Sequence, residues 1–331
     1  MSKIDRRSFS NSSSSNQYAV PRSPRRRRRL GRTLLLIFLL MVGAAAIIPM
    51  RAYLKSSTLR RAAYFYAAGL WKPEKAFPGR DSITILVLGR DADRDNRGQI
   101  VHSRGRADAI LLVRLDFSDK KVSILSIPRD TLVDIPGHGR HKINAAHAYG
   151  GSELMMRTIE SFLGVSPEEC VTIDYASFEK AIDCMGGLTI DVAKKMDYDD
   201  NWGNLHIHLK PGRQTLNGRQ ALGFVRYRKS NDGSADTDQE RIARQQQFLM
   251  AVRGKVVTPS AFFKLPDAIE TARSGVTSSM SETQLMAAAD FVRRLPNTSI
   301  EMVTLPGEPH KAYIEADLTA AREIVQRMFK G

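Results

Sequence analysis

Acidic and basic residues gather just outside the ends of apolar runs in this chain. Asp91 follows the run 83–88, Arg106 and Asp108 sit at the start of the run 109–115, and Arg129 and Asp130 follow the run 121–127. Two carboxylates that meet can hold Mg²⁺, which takes one or two protein carboxylates together with phosphate oxygens. Arginines suit phosphate because their planar fork matches its oxygens. A second basic group, Arg226-x-Arg228, precedes Arg241 and Gln245, which lie four residues apart on the next helical stretch. Taken singly, each residue reads more readily as a surface charge. Together they give a magnesium-assisted site for phosphate or pyrophosphate.

These residues need elements to bring them together. The runs 83–88, 109–115 and 121–127 read as strands covered on both faces, the last two joined by the turn Phe117-Ser118-Asp119-Lys120. As hairpin neighbours they place the start of one beside the end of the other, so Asp108 and Arg129 can meet. Helices are expected over 152–163, with Ser152 as N-cap and Gly164 as stop, and over 175–185, 217–227, 238–255, 262–272, 281–295 and 318–329. Further strands are expected at 171–174, 188–192, 205–209, 299–305 and 311–315. Strands and helices alternate without strict βαβ periodicity, which predicts an α/β sandwich with a mixed central sheet. Strand ends in such a sheet are where ligands bind. Arg226 and Arg228 are too close to share an ideal helical face, so a helix end or irregular backbone has to turn both inward.

Other chemistry is not signalled. The chain has no Walker loop, no G-x-G-x-x-G, no G-x-S-x-G elbow and no H-E-x-x-H. His206 and His208 alternate on a strand and share a face, which reads as a pair of surface histidines ahead of a metal site. Cys170 and Cys184 flank a strand–helix unit. In an exported domain they read equally well as a disulfide or as two thiols.

The 331 residues carry a net charge of +15. Residues 1–75 hold 16 Lys+Arg against 2 Asp+Glu, and the remaining 256 are near neutral. A nucleic-acid partner is therefore not expected, since binding a phosphate backbone needs a basic face. Residues 1–32 read as a disordered basic tail ending in Arg25–Arg29 and Arg32. The uncharged run 33–50 would make about 27 Å of helix, near the roughly 30 Å of a bilayer core. Arginines before a single span set the positive-inside orientation: tail in the cytoplasm, remainder outside. An uncleaved anchor is favoured over a signal peptide, for which the tail is long. Residues 51–79 read as a juxtamembrane helix and linker, and 80–331 as an extracytoplasmic domain.

Five blocks resemble LytR-CpsA-Psr proteins, in order and at similar spacing: Gly105-Arg-Ala-Asp-Ala-Ile-Leu-Leu-Val113, Leu125-Ser-Ile-Pro-Arg-Asp-Thr131, Lys142-Ile-Asn-Ala-Ala-His-Ala-Tyr-Gly-Gly151, Leu216-Asn-Gly-Arg-Gln-Ala-Leu222 with Val225-Arg-Tyr-Arg228, and Arg241-x-x-Arg-Gln-Gln246. The resemblance implies a three-layer α/β/α sandwich behind one N-terminal transmembrane helix, with an apolar groove for a polyprenyl tail. It implies a phosphotransferase of the cytoplasmic membrane that moves a glycopolymer phosphate from a polyprenyl pyrophosphate carrier to a peptidoglycan sugar hydroxyl. Asp91 and Asp108 would then bind Mg²⁺ or Mn²⁺. Arg106, Arg129, Arg226, Arg228, Arg241 and Lys142 would hold the pyrophosphate, with Gln245 nearby. Asp91 or Asp130 would act as base, although Asp130 reads more readily as a strand-end cap or arginine partner. A lipid-pyrophosphate pyrophosphatase and a non-catalytic polyprenyl-phosphate-binding regulator are the other readings. Gly-Arg-Asp at Arg90 and the rewritten stretch 229–238 depart from the family pattern.

Overall fold

A computed structural model describes residues 73–90, 105–201, 205–258, 261 and 264–330. The tail, the run 33–50 and Asp91 lie outside the described residues. Among those described, no helix is long and apolar enough to cross a membrane.

A six-stranded mixed sheet organises the chain. Its strands are β1 (Ser82–Arg90), β2 (Ala107–Asp116), β3 (Lys121–Ser126), β6 (Glu169–Asp174), β11 (Val276–Ser278) and β12 (Ile300–Thr304), in the order β11-β6-β1-β2-β3-β12. β1 and β2 pair antiparallel, as do β2 and β3, while β6 joins β1 and β12 joins β3 in parallel. The strands are apolar on both faces because both are covered. Leu86, Leu88, Ile110, Leu112 and Leu125 pack with α2 (Ala145–Leu163) and α8 (Leu318–Phe329). Their alternating neighbours Ile83, Ile85, Leu115 and Val122 pack with Phe77 and with α7 (Glu282–Arg294). Phe77 follows the short helix α1 (Pro73–Ala76) and is 1 % exposed, so the packed domain has already begun before Arg80.

A second apolar cluster joins α3 (Tyr175–Cys184), α4 (Gly218–Arg226) and α5 (Asp238–Val257) to two antiparallel strand pairs. One pairs β7 (Leu188–Val192) with β10 (Gly212–Leu216), the other β8 (Met196–Asp200) with β9 (Leu205–Leu209). Small hairpins β4 (Leu132–Ile135) with β5 (Gly139–Lys142), and β13 (Gly307–Pro309) with β14 (Ile314–Ala316), complete the described strands. The helix α6 (Leu265–Ala272) leads to β11.

Several expectations shift. The helix expected from Ser152 starts at Ala145 and bends at Gly151, whose φ of 69° only glycine takes at little cost. Ser152 bonds Thr172 Oγ1 rather than capping. Gly164 ends the helix in the left-handed conformation, as expected. The strand expected at 311–315 contracts to β14. The thiols of Cys170 and Cys184 are free, since one packs in the sheet's cluster and the other against the second cluster.

Candidate active site: an arginine cluster at the sheet's end

The C-terminal ends of β1, β3 and β6 and the start of β2 share one end of the sheet. Arg90 pairs with Ala107 on one side and Asp174 on the other. Ile127 N–H donates to Ile110 O, which carries the chain past β3 and delivers Arg129 beside Asp108. The expected meeting is there: Arg129 Nη1 donates to Asp108 Oδ1 at 2.5 Å. Lys142, at the end of β5, donates to Asp130 Oδ1 at 2.9 Å.

Arg129 Nε is the informative atom. It is buried and lies 3.6 Å from Asp130 Oδ2, too far for a hydrogen bond, with no partner among the described residues. A buried donor left open calls for an acceptor. Burial pulls the Arg129 guanidinium down, but Asp108, then Asp130 and Tyr175, outweigh it and hold the group above its ordinary value.

Arg226 and Arg228 are turned by the end of α4. Tyr227 leaves helical geometry (φ −58°, ψ 133°), so Arg226 stays on the last turn over the Tyr175 ring, 4.9 Å from its centre. Arg228 faces the cluster from beyond. Desolvation, then repulsion from Arg129 and Arg241, push it below its ordinary value, with Asp130 and Asp108 opposing. An anion placed among these arginines would relieve both the burial and the repulsion, an arrangement found at many phosphate-binding sites. Arg241 and Gln245, both half-buried, lie one turn apart on α5. Arg106 is exposed just before β2.

Asp130 is held below the ordinary carboxylate range. Burial raises it, but the Lys142 hydrogen bond and then Arg129 outweigh that. The geometry favours Asp130 as an ion-pair partner, because so weak a base suits proton abstraction poorly at neutral pH. A depressed carboxylate contributes stability above its unfolded value of about 3.9 and loses it as pH falls through the lower folded value. Asp130→Asn is therefore expected to lower the melting temperature above pH 5, with the difference from wild type shrinking as pH falls below the unfolded value of about 3.9. Melting curves across that range check it.

Sequence reasoning missed the supports. Asp174 lies 3.9 Å from Arg90 Nη2, which answers the charge that departs from the family pattern. Asp236 lies in the rewritten stretch 229–238, and its side chain is 1 % exposed. It takes Lys194 at 2.7 Å and the buried Arg244, which also donates to Tyr227 O. Burial lowers Arg244 to about 10, so it stays charged at neutral pH. The only sequence signal for this pair is an Asp just before a helix and an Arg eight residues on, in its second turn.

The donors offered by Asp108 and Asp130 are carboxylate oxygens, the hard ligands that Mg²⁺ and Mn²⁺ take. Four cations (Arg129, Arg228, Arg241, Lys142) surround these two anions. A phosphate-bearing ligand with a hard divalent ion fits that balance.

The fold is a mixed α/β one with a central mixed sheet, and arginines and carboxylates gather at its strand ends. The chain belongs to the LytR_cpsA_psr family, whose model matches residues 62–330. It is 37 % identical over 203 residues to the regulatory protein MsrR of Staphylococcus aureus (strain COL), covering 61 % of this chain and 57 % of that protein. The match thus spans little more than half of that relative's length. It is 33 % identical over 243 residues to TagT of Bacillus subtilis, named a polyisoprenyl-teichoic acid–peptidoglycan teichoic acid transferase, covering 71 % and 72 % of the two chains. The crystal structure of B. subtilis TagV superposes with a TM-score of 0.62 at 29 % identity, over 76 % of this chain and 98 % of that one. TagT bound to LI-WTA gives 0.59 at 28 % identity, over 77 % and 93 %.

Proposed function

We propose that the protein joins a glycopolymer phosphate, delivered on a polyprenyl pyrophosphate carrier, to a peptidoglycan sugar hydroxyl. The observation that carries this reading is a single stripe on α5. Arg241 lies close enough to Arg228 to repel it, Gln245 follows one turn on, and beyond it Leu249, Val252 and Val256 line an apolar cavity of about 280 Å³. Its other walls are the sheet face (Ile85, Val113, Ile124) and Ala289 of α7. An arginine cluster and an apolar cavity along one helix suit an amphiphile with a phosphate head. The names of TagT and TagV support the same reaction.

In this reading Arg129 fills its open Nε on a pyrophosphate oxygen. Arg228, Arg241 and Lys142 take the remaining charge, and Arg106 and Arg226 flank them. Their preset positions stabilise the charge that grows on the departing polyprenyl phosphate. Asp108, with Asp91, would hold Mg²⁺ or Mn²⁺, which would supply further neutralisation of that charge. The acceptor hydroxyl attacks the phosphorus carrying the polymer. Its P–O bond forms as the bond to the carrier phosphate breaks, and the hydroxyl proton passes to a carboxylate, for which Asp91 remains after Asp130's ion pairs. The basic tail and the run 33–50 would anchor the chain in the cytoplasmic membrane, with the domain outside, where carrier and acceptor meet.

Ala289→Trp tests the slot. Filling it is expected to weaken binding of a long-chain polyprenyl pyrophosphate at least about tenfold while inorganic pyrophosphate binds as before. Equal loss of both, in titrations of the detergent-solubilised chain, would contradict the assignment of head and tail.

A further inference from the structure

The β8–β9 hairpin presents a second chemical cluster, remote in sequence from the arginines. Cross-strand register pairs Asp197 with His208 and Asp199 with His206, so four donor side chains rise from one face at two-residue spacing. His208 uses both ring nitrogens: Nδ1 lies 2.8 Å from Asp197 Oδ1 and Nε2 lies 3.2 Å from Asp199 Oδ1. His206 Nδ1 lies 2.6 Å from the same Asp199 oxygen. The register thus gathers imidazole and carboxylate donors on one exposed face of the hairpin. Ligand atoms of Asp197, Asp199 and His208 all lie within 4.8 Å of one another.

We propose that this hairpin binds a divalent transition-metal ion of the zinc class through Asp197, Asp199 and His208, with His206 able to complete four-coordination. Mixed imidazole and carboxylate donors select such an ion over Mg²⁺ or Ca²⁺. A bond of about 2.0–2.2 Å to each ligand needs only side-chain rotations to draw the donors in. The surroundings orient the ligands. Asn231 Nδ2 donates to Asp199 Oδ2 at 3.1 Å and leaves Oδ1 to the ion. Lys195 Nζ, 2.7 Å from Asp197 Oδ2, is the competing cation.

The site has a structural consequence. Asn231 N–H and Ser230 Oγ both donate to Asp197 O, and Asp199 N–H donates to Asn231 Oδ1. The loop that carries the chain from Arg228 to Arg241 is thus fastened to the metal hairpin. An ion there would stiffen the segment between two arginines of the phosphate cluster.

The test titrates Zn²⁺, and Co²⁺ as its visible reporter, into the full chain in detergent, with millimolar Mg²⁺ present to fill hard-oxygen sites. One equivalent is expected to bind. His208→Gln and Asp199→Asn should each weaken it at least about a hundredfold, with unchanged melting temperature in the absence of Zn²⁺. Lys195→Ala should bind Zn²⁺ more tightly, an effect that mere disturbance of the hairpin would not produce. Equal Zn²⁺ affinity in wild type and His208→Gln, or no gain in Lys195→Ala, would overturn the proposal.

Discussion

Asp108→Asn is expected to lower polymer transfer by about a hundredfold or more while the protein stays folded. The size follows from what one preset charge contributes when reaction charge builds beside it, about 10²–10³ in rate. The side chain is half-buried at a strand start, and Asn keeps its shape, so packing is retained. Two roles converge on Asp108: it pins Arg129 at 2.5 Å and is the described carboxylate best placed for a hard divalent ion. Their readouts differ. If Asp108 serves the ion, the Mg²⁺ concentration for half-maximal activity rises in the variant; if it only positions Arg129, that concentration stays put and affinity for pyrophosphate falls. Full activity in Asp108→Asn would remove Asp108 from the site.

Asp236→Ala is the larger effect on stability. Its side chain is 1 % exposed and its partner Arg244 is 6 % exposed, so removing it strands a buried guanidinium. Breaking a buried pair in this one-sided way costs about 3–5 kcal/mol. At about 2–4 °C per kcal/mol for a domain of this size, the melting temperature is expected to fall by roughly 10 °C. The double variant Asp236→Ala with Arg244→Met should recover much of that, because the orphaned charge is gone. Arg241 is one turn before Arg244 on α5, so transfer activity should fall along with stability. A melting temperature within 1–2 °C of wild type would show that the pair is not buried in solution.

The contact between Asp108 and Arg129 was legible in the sequence because a hairpin joins two apolar runs by four turn residues, and antiparallel pairing then sets which ends meet. The helices expected over 217–227 and 281–295 form as α4 and α7, and the structure adds why they start there: Asn217 and Ser281 each accept from the backbone N–H three residues on. What the sequence did not carry was long-range packing. β8 reads Met-Asp-Tyr-Asp-Asp, an alternation too short and too acidic to stand out as a strand, and it forms because β9 pairs with it. Gly151 hid a bend inside one helix, since its left-handed φ leaves no mark on the flanking periodicity. Tyr175 and Asp236 reach the arginines only after the sheet and α5 are assembled. The Arg-and-Asp stretch around Asp91 lies outside the described residues, so its part in the site stays a reading of the sequence.

In the proposed reaction the polymer phosphate ends on a sugar hydroxyl. The most direct measurement supplies the full chain with Mg²⁺, peptidoglycan fragments and a polyprenyl-pyrophosphate-linked sugar labelled at the phosphorus next to the sugar. Labelled phosphate joined covalently to the fragments, with unlabelled polyprenyl phosphate released in equal amount, is the predicted result. Label found only in free sugar phosphate, with or without fragments present, would contradict it and leave a pyrophosphatase in its place.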